Sequence, residues 1–423
     1  MRKALVVWLA LALARGAGAV DITLCVVPDI QNIVSNEDPD IPDDDTSCEV
    51  ESPSCEPAYC PASPYCDTNW WHTSELMLAN LAYSLTGQTS LIDYSTIKGT
   101  DNVLSGASYP TDHAPCDAII GVGDNVDQLT GSGNPTYAGL TYAQQNWVQR
   151  AAAFWNIIKA SGVPFLPARG NHDPEQVYDY MMTTLIGYDA LPFVYAVHPD
   201  RDQYAIKFEV AGVTLCAVSL DYNGTFSPGD ERTASEAAWG GATLGEASQI
   251  GCGDNLPTLE VSHQLVSGSS SVLIGEGNGL ARDPAHTELF AVAGGHHTPA
   301  TPISRKWNLA GTSYSNDPSR QVIAFFSNWQ EMARHKYLAG YTITPHDGIG
   351  GPYTVIEIDF SDQQLCAHDW NAYYQTRSTL DNGQNHGGGE TMSSACFALD
   401  WPARFRPGPG PRAAGAVVAG GSL

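Results

Sequence analysis

Side chains that bind metals or move protons stand together at five places in this chain. They are Asp29-Ile30-Gln31, Gly123-Asp124-Asn125, Gly170-Asn171-His172-Asp173, Ser262-His263 and Gly294-Gly295-His296-His297. Each follows an apolar, β-branched run that reads as a strand, and loops at strand ends of an open α/β sheet are where ligand sites gather. Carboxylates, an amide and neutral imidazoles make an N/O donor set suited to a borderline divalent ion such as Zn, Mn or Fe. Two such ions roughly 3.5–4 Å apart can clamp a phosphoryl group and generate hydroxide near neutral pH. That chemistry needs one bridging carboxylate on a rigid turn, and Asp124 after a glycine fits. Asn171 offers a neutral oxygen, and His172 beside it is left to face a substrate as a proton donor. Arg169, immediately before the Gly-Asn-His-Asp turn, is the nearest cation and a candidate for a phosphate contact or, equally, for a salt bridge elsewhere.

The elements that must position these groups follow from periodicity. Ile22 to Val27, ended by Pro28, reads as a buried strand. Leu78, Leu81, Ala82 and Leu85 fall on one helical face with Gly87 as a stop. A second strand over 118–122 leads into Gly-Asp. A second helix puts Trp147, Ala151, Phe154, Trp155 and Ile158 on one side and ends at Gly162, before a short run over 163–167. Tyr204–Val210 and Val213–Leu220 flank Ala211-Gly212 as a hairpin. Further strands are expected over 259–262, 289–293, 322–326 and 353–360. Strands alternating with helices, then mostly strands, predict an α/β domain with mixed sheets.

Composition bounds the rest. The chain has 423 residues, 43% of them hydrophobic and 16% charged, enough to build a large core. With 20 basic against 46 acidic side chains the formal net charge is −26, which argues against duplex nucleic-acid binding. Arg2 and Lys3, an apolar run, and Ala17-Gly18-Ala19 have the order of a secretory signal peptide over residues 1–19. The mature protein is therefore expected to be secreted, with no later segment apolar enough for stable membrane insertion. All 10 cysteines lie beyond that segment. Cys48, Cys55, Cys60 and Cys66 mark residues 36–71 as an acidic, disulfide-stapled insertion whose pairing the spacing does not choose. Cys25 and Cys216 fit a buried thiol or a disulfide equally. Asn223-Gly224-Thr225 is a glycosylation sequon. The organisation read from this is a signal at 1–19, one domain over 20–400 and a disordered Pro/Gly/Ala tail at 401–423.

The order Asp-x-Gln, Gly-Asp, Gly-Asn-His-Asp, His and a Gly-His turn resembles the calcineurin-like metallophosphoesterase superfamily, in its secreted branch where glutamine replaces the first histidine. The resemblance implies a four-layer α/β/β/α sandwich with two mixed sheets. It implies that Asp29 and Gln31 bind a first divalent ion, that Asp124 bridges both, and that Asn171, His263 and His296 complete the second site. His172 would protonate the leaving oxygen, with Asp173 orienting it. The family pattern ends Gly-His-x-His. Begun at Gly295 it makes His296 a ligand and puts Thr298 in the last place; begun at Gly294 it keeps His297 and loses the first histidine. The former keeps the second site whole and is preferred, and a single tightly held ion is then compatible with the first site. Asp127 stands where the purple acid phosphatases carry tyrosine, which argues against a purple iron site. The implied activity is hydrolysis of phosphomonoesters or phosphodiesters on a phosphorylated small molecule. A nucleotide-diphosphate pyrophosphatase of the ADP-ribose type and a non-catalytic exported binding module are the alternatives.

Overall fold

The computed structural model describes residues 21–31, 34, 74–92, 115–126, 134–199, 201–220, 256–264, 289–295, 306–308, 323–326, 352–371, 376–377 and 395–398. The segments 1–19, 36–71 and 401–423, with Cys48, Cys55, Cys60, Cys66, Asn223, His296, His297 and Thr298, lie outside the described residues.

In chain order the regular elements are β1 (Ile22–Val27), α1 (Ser74–Leu85), β2 (Ala118–Gly121), α2 (Tyr142–Ser161), β3 (Phe165–Pro167) and α3 (Glu175–Tyr180). Then come β4 (Val194–Val197), β5 (Tyr204–Val210), β6 (Val213–Leu220), β7 (Thr258–Gln264) and β8 (Leu289–Gly295). The chain closes with β9 (Lys306–Asn308), β10 (Ile323–Phe326), β11 (Pro352–Asp359), β12 (Gln364–Asn371), β13 (Thr376–Arg377) and β14 (Ala395–Ala398). Two mixed sheets result. The first has the order β13-β12-β11-β1-β2-β3, with β14 also on β12, and the second β4-β5-β6-β7-β8-β10-β9.

Strand β1 is buried along its whole length, which explains a sequence that is apolar except for Thr23: it is central, with β11 antiparallel on one side and β2 parallel on the other. Strand β3 continues the parallel run beside β2. Parallel neighbours need crossovers, and α1 and α2 supply them. Helix α2 is held at its start by a capping box in which Thr141 and Gln144 satisfy each other's backbone N–H groups. It ends at Gly162, whose left-handed φ of 81° a side chain would resist. In the second sheet, Ala211 (φ 51°) and Gly212 (φ 77°) form the two-residue turn between β5 and β6, matching the expected hairpin.

The core joins both sheets. Phe165 on β3 meets Trp155 from α2 on one side and Tyr188 and Phe193 on the other, and Tyr188 packs edge-on against Tyr204 of β5. The α/β class with mixed sheets is thus as expected. Cys25 is disulfide-bonded to Cys116 at the entry to β2, and Cys216 is also disulfide-bonded. A further bridge, Cys366–Cys396, joins β12 to β14. These bridges are compatible with an extracellular protein. Among the described residues no helix is long and apolar enough to cross a membrane.

Candidate metal centre

Because β1, β2 and β3 are parallel neighbours, the loops after them leave the same edge of the first sheet. They carry Asp29, then Asp124 and Asn125, then Asn171, His172 and Asp173. Strands β7 and β8 are parallel neighbours in the second sheet. The sequence reading placed His263 just past a strand, but it lies within β7, and Gly294-Gly295 likewise ends β8. His263 sits where the β7–β8 register shifts between Val261 and Gln264, an irregularity of the kind that re-aims a side chain beside a site.

The two edges meet at that histidine. His263 Nδ1 lies 2.9 Å from the Val122 carbonyl oxygen and 3.7 Å from Asp29 Oδ1. Its Nε2 lies 2.9 Å from Asn171 Oδ1 and 3.2 Å from Asp124 Oδ2. The His172 backbone N–H donates to the other Asp124 oxygen at 2.9 Å. Asp29, Asp124 and His263 each offer a ligand atom within 4.8 Å of the others, and all three are buried.

Backbone shape makes this closeness feasible. Gly123 has φ 114°, and an added Cβ would stand 2.5 Å from His263 Nδ1. A Cβ on Gly170 would overlap Asp124 Oδ1, and one on Gly295 would overlap Asp29 Oδ1. Three separate strand ends therefore carry glycine where the donor carboxylates and imidazole need the room. Asp124 itself is left-handed, with φ 48°. Strain of that kind at a non-glycine residue persists where the surroundings over-determine it, as at ligand clamps.

Burial pulls the His263 imidazolium toward neutrality, but the carboxylates of Asp124 and Asp29 outweigh it and raise the pKa to about 9. Burial pushes the Asp124 carboxyl up, whereas His263 and His172 pull it down, leaving it below the usual value. Both ring nitrogens of His263 lie against oxygen atoms, Nδ1 against Val122 and Asp29 and Nε2 against Asn171 and Asp124. Without an ion, a proton on Nε2 lets His263 donate between Asp124 Oδ2 and Asn171 Oδ1. The donor chemistry fits a divalent cation in that place, since Nε2, a carboxylate and an amide oxygen already converge and Nδ1–H is steadied by a carbonyl.

The structure brings together four of the expected residues, Asp29, Asp124, Asn171 and His263. Gln31 is buried near the end of β1, at 2% exposure. His172 and Arg169 are half-buried on the β3 turn, with Arg169 Nε donating to the Asp173 carbonyl at 2.9 Å. The Asp173 carboxylate is engaged differently from the expected orientation of His172. It accepts N–H bonds from Gly170 (2.9 Å), Asn125 (3.1 Å) and Val126 (3.0 Å), so it ties the two turns together. Burial and the charge of Asp124 push its pKa up, against those donors. Asn125 stands in the Gly123-Asp124-Asn125 cluster, but its sequence position assigned it no role. Its side chain donates to Asp173 Oδ2 at 2.9 Å and accepts from Trp155 Nε1 at 2.9 Å.

No family model and no curated protein matches the chain. Among solved structures it is similar to GAP50, the anchor in the inner membrane complex of Plasmodium, at 11% identity and a TM-score of 0.39. That alignment covers 90% of this chain and 89% of that one. A likeness this distant carries no functional argument.

Proposed function

We propose that this chain is an exported, metal-dependent phosphoric ester hydrolase with the four-layer calcineurin-like metallophosphoesterase architecture. The observation that carries the reading is the convergence of Asp29, Asp124, Asn171 and His263 from four strand ends in two sheets, in a buried, glycine-lined setting. Export is supported by the signal-like start and by the disulfides.

In this reading Asp124, Asn171, His263 and His296 would hold one divalent ion. Asp29 and Gln31, with Asp124, would hold a second. Such ions supply Lewis acidity toward a phosphoryl oxygen and a nucleophilic water at neutral pH. The chain's own groups do the rest. His172 lies close enough for its charge to lower the Asp124 carboxyl, and it donates a proton to the leaving oxygen. Arg169, tethered to the Asp173 carbonyl, sets a guanidinium beside the same turn, where it pairs with phosphate. Burial of the carboxylates excludes water from their charges and strengthens their hold on a cation.

The test is turnover by the chelator-stripped protein after addition of Mn or Zn, with p-nitrophenyl phosphate, its bis-ester and ADP-ribose as substrates. Metal-dependent hydrolysis of at least one ester is expected, lost on chelation and in Asn171→Ala. Turnover of ADP-ribose alone would move the assignment to a pyrophosphatase. Tight metal binding with no turnover of any of the three would mark a binding module and overturn the hydrolase reading.

A further inference from the structure

A hydrogen-bonded chain runs from the helix core to the two turns that carry Asp124 and Asn171. The indole N–H of Trp155, on α2, donates to Asn125 Oδ1 at 2.9 Å. Asn125 Nδ2 donates to the Ala168 carbonyl at 2.8 Å and to Asp173 Oδ2 at 2.9 Å. The Asp173 carboxylate also takes the backbone N–H groups of Gly170, Asn125 and Val126. Trp155, Asn125 and Asp173 are exposed by 1%, 2% and 2%, so water does not substitute for these bonds. The turn bearing Asp124 is thereby fastened to the turn bearing Asn171. On the far side, the His172 N–H to Asp124 Oδ1 bond closes the same pair of turns.

We infer that Trp155 and Asn125 are positioning residues of the metal centre, setting the spacing between the Asp124 carboxylate and the Asn171 amide. This rests on the reading of those two groups as ligands. The physical argument is the amide's polarity. If Asn125 flipped, its oxygen would face the Ala168 carbonyl and the Asp173 carboxylate, acceptor against acceptor. The Trp155 N–H makes the correct orientation the only one with an acceptor for the donor on each side. Trp155 is itself fixed, stacked on Phe165 at 5.5 Å and seated on Gly121, where an added Cβ would meet its ring at 2.8 Å. An aromatic residue on the buried face of a helix thus acts on the ligand turns through one amide.

The experiment is a Co²⁺ titration of the chelator-stripped full chain, followed by the visible absorption of the bound ion. Trp155→Phe keeps the aromatic packing and deletes the donor. It is expected to weaken Co²⁺ binding by roughly tenfold to a hundredfold and to shift the absorption bands, as loss of an outer partner of a metal ligand does. Tyr188→Phe is the matched control. It deletes the buried hydroxyl that donates to the Phe165 carbonyl at 2.5 Å in the same aromatic cluster, and it should lower the unfolding midpoint while leaving Co²⁺ affinity within about twofold. If Trp155→Phe does not fold, Asn125→Ser carries the same comparison. Co²⁺ affinity within about twofold of wild type in the folded variant, or an equal loss in Tyr188→Phe, overturns the inference. Wild type that binds Co²⁺ without hydrolysing any ester removes the hydrolase reading and leaves this one to the affinities. Wild type that binds no Co²⁺ removes both.

Discussion

His263 concentrates the residue-scale chemistry. Its ring sits among acceptors, and Asp124 and Asp29 raise its pKa to about 9 despite full burial. In the unfolded chain a histidine titrates near 6.5. The folded value is the higher one, so the paired charge stabilises the metal-free protein fully below about pH 6.5 and is lost as pH rises through about 9. The shift corresponds to about 3 kcal/mol at most. Urea unfolding in the presence of a chelator is therefore expected to show stability falling between about pH 6.5 and about pH 9, the two pKa values, in wild type, and a flatter profile in His263→Gln. An unchanged slope in the variant would show that another group sets the dependence. Asp29, Asp124, Asn171 and His263 were all legible from residue type and order. The roles of Asn125 and of the Trp155 N–H were not. Helical periodicity marks Trp155 as core and is silent about which way its one polar atom points.

At the scale of elements, the parts easiest to read were those whose period is set by burial on a defined face. Strand β1, helices α1 and α2 and the β5–β6 hairpin all stand within a residue or a few of the expected positions. Strand β12 was missed, because Gln364, His368, Asp369 and Asn371 interrupt the apolar pattern and its register comes from β11. The short α3 and the wide helical turn over Met181–Ile186 were missed as well, being fixed by tertiary contact more than by propensity. Helix α2 matters most to the site, since it delivers Trp155. Its reciprocal cap at Thr141 is exposed and lies well before Trp155 in the helix. Thr141→Ala should cost about 1 kcal/mol of stability, read as a lower urea midpoint. Metal affinity should stay as in wild type. A large loss of affinity would mean that the whole helix, and not the indole N–H, positions the turns.

The whole molecule is acidic, with a net charge of −26, and it gathers oxygen donors at one buried point. Such a field draws divalent cations in, and under the proposed hydrolase reading it would leave the attraction of anionic esters to local cations such as Arg169. Assembly of the site depends on long-range closure. The Val122 and Asn171 contacts of His263 span 141 and 92 residues, and only the pairing of the two sheets brings them together. No local pattern encodes that convergence, which the sequence suggested only through the order of its clusters. The central claim is that these donors share a divalent ion. The most direct measurement is anomalous diffraction at the zinc edge from crystals soaked in Zn²⁺ after chelation. The account predicts a peak bonded to His263 Nε2, Asp124 and Asn171, with Zn–N and Zn–O distances of about 2.0–2.2 Å. Zinc found only on surface carboxylates, with none touching His263, would contradict it.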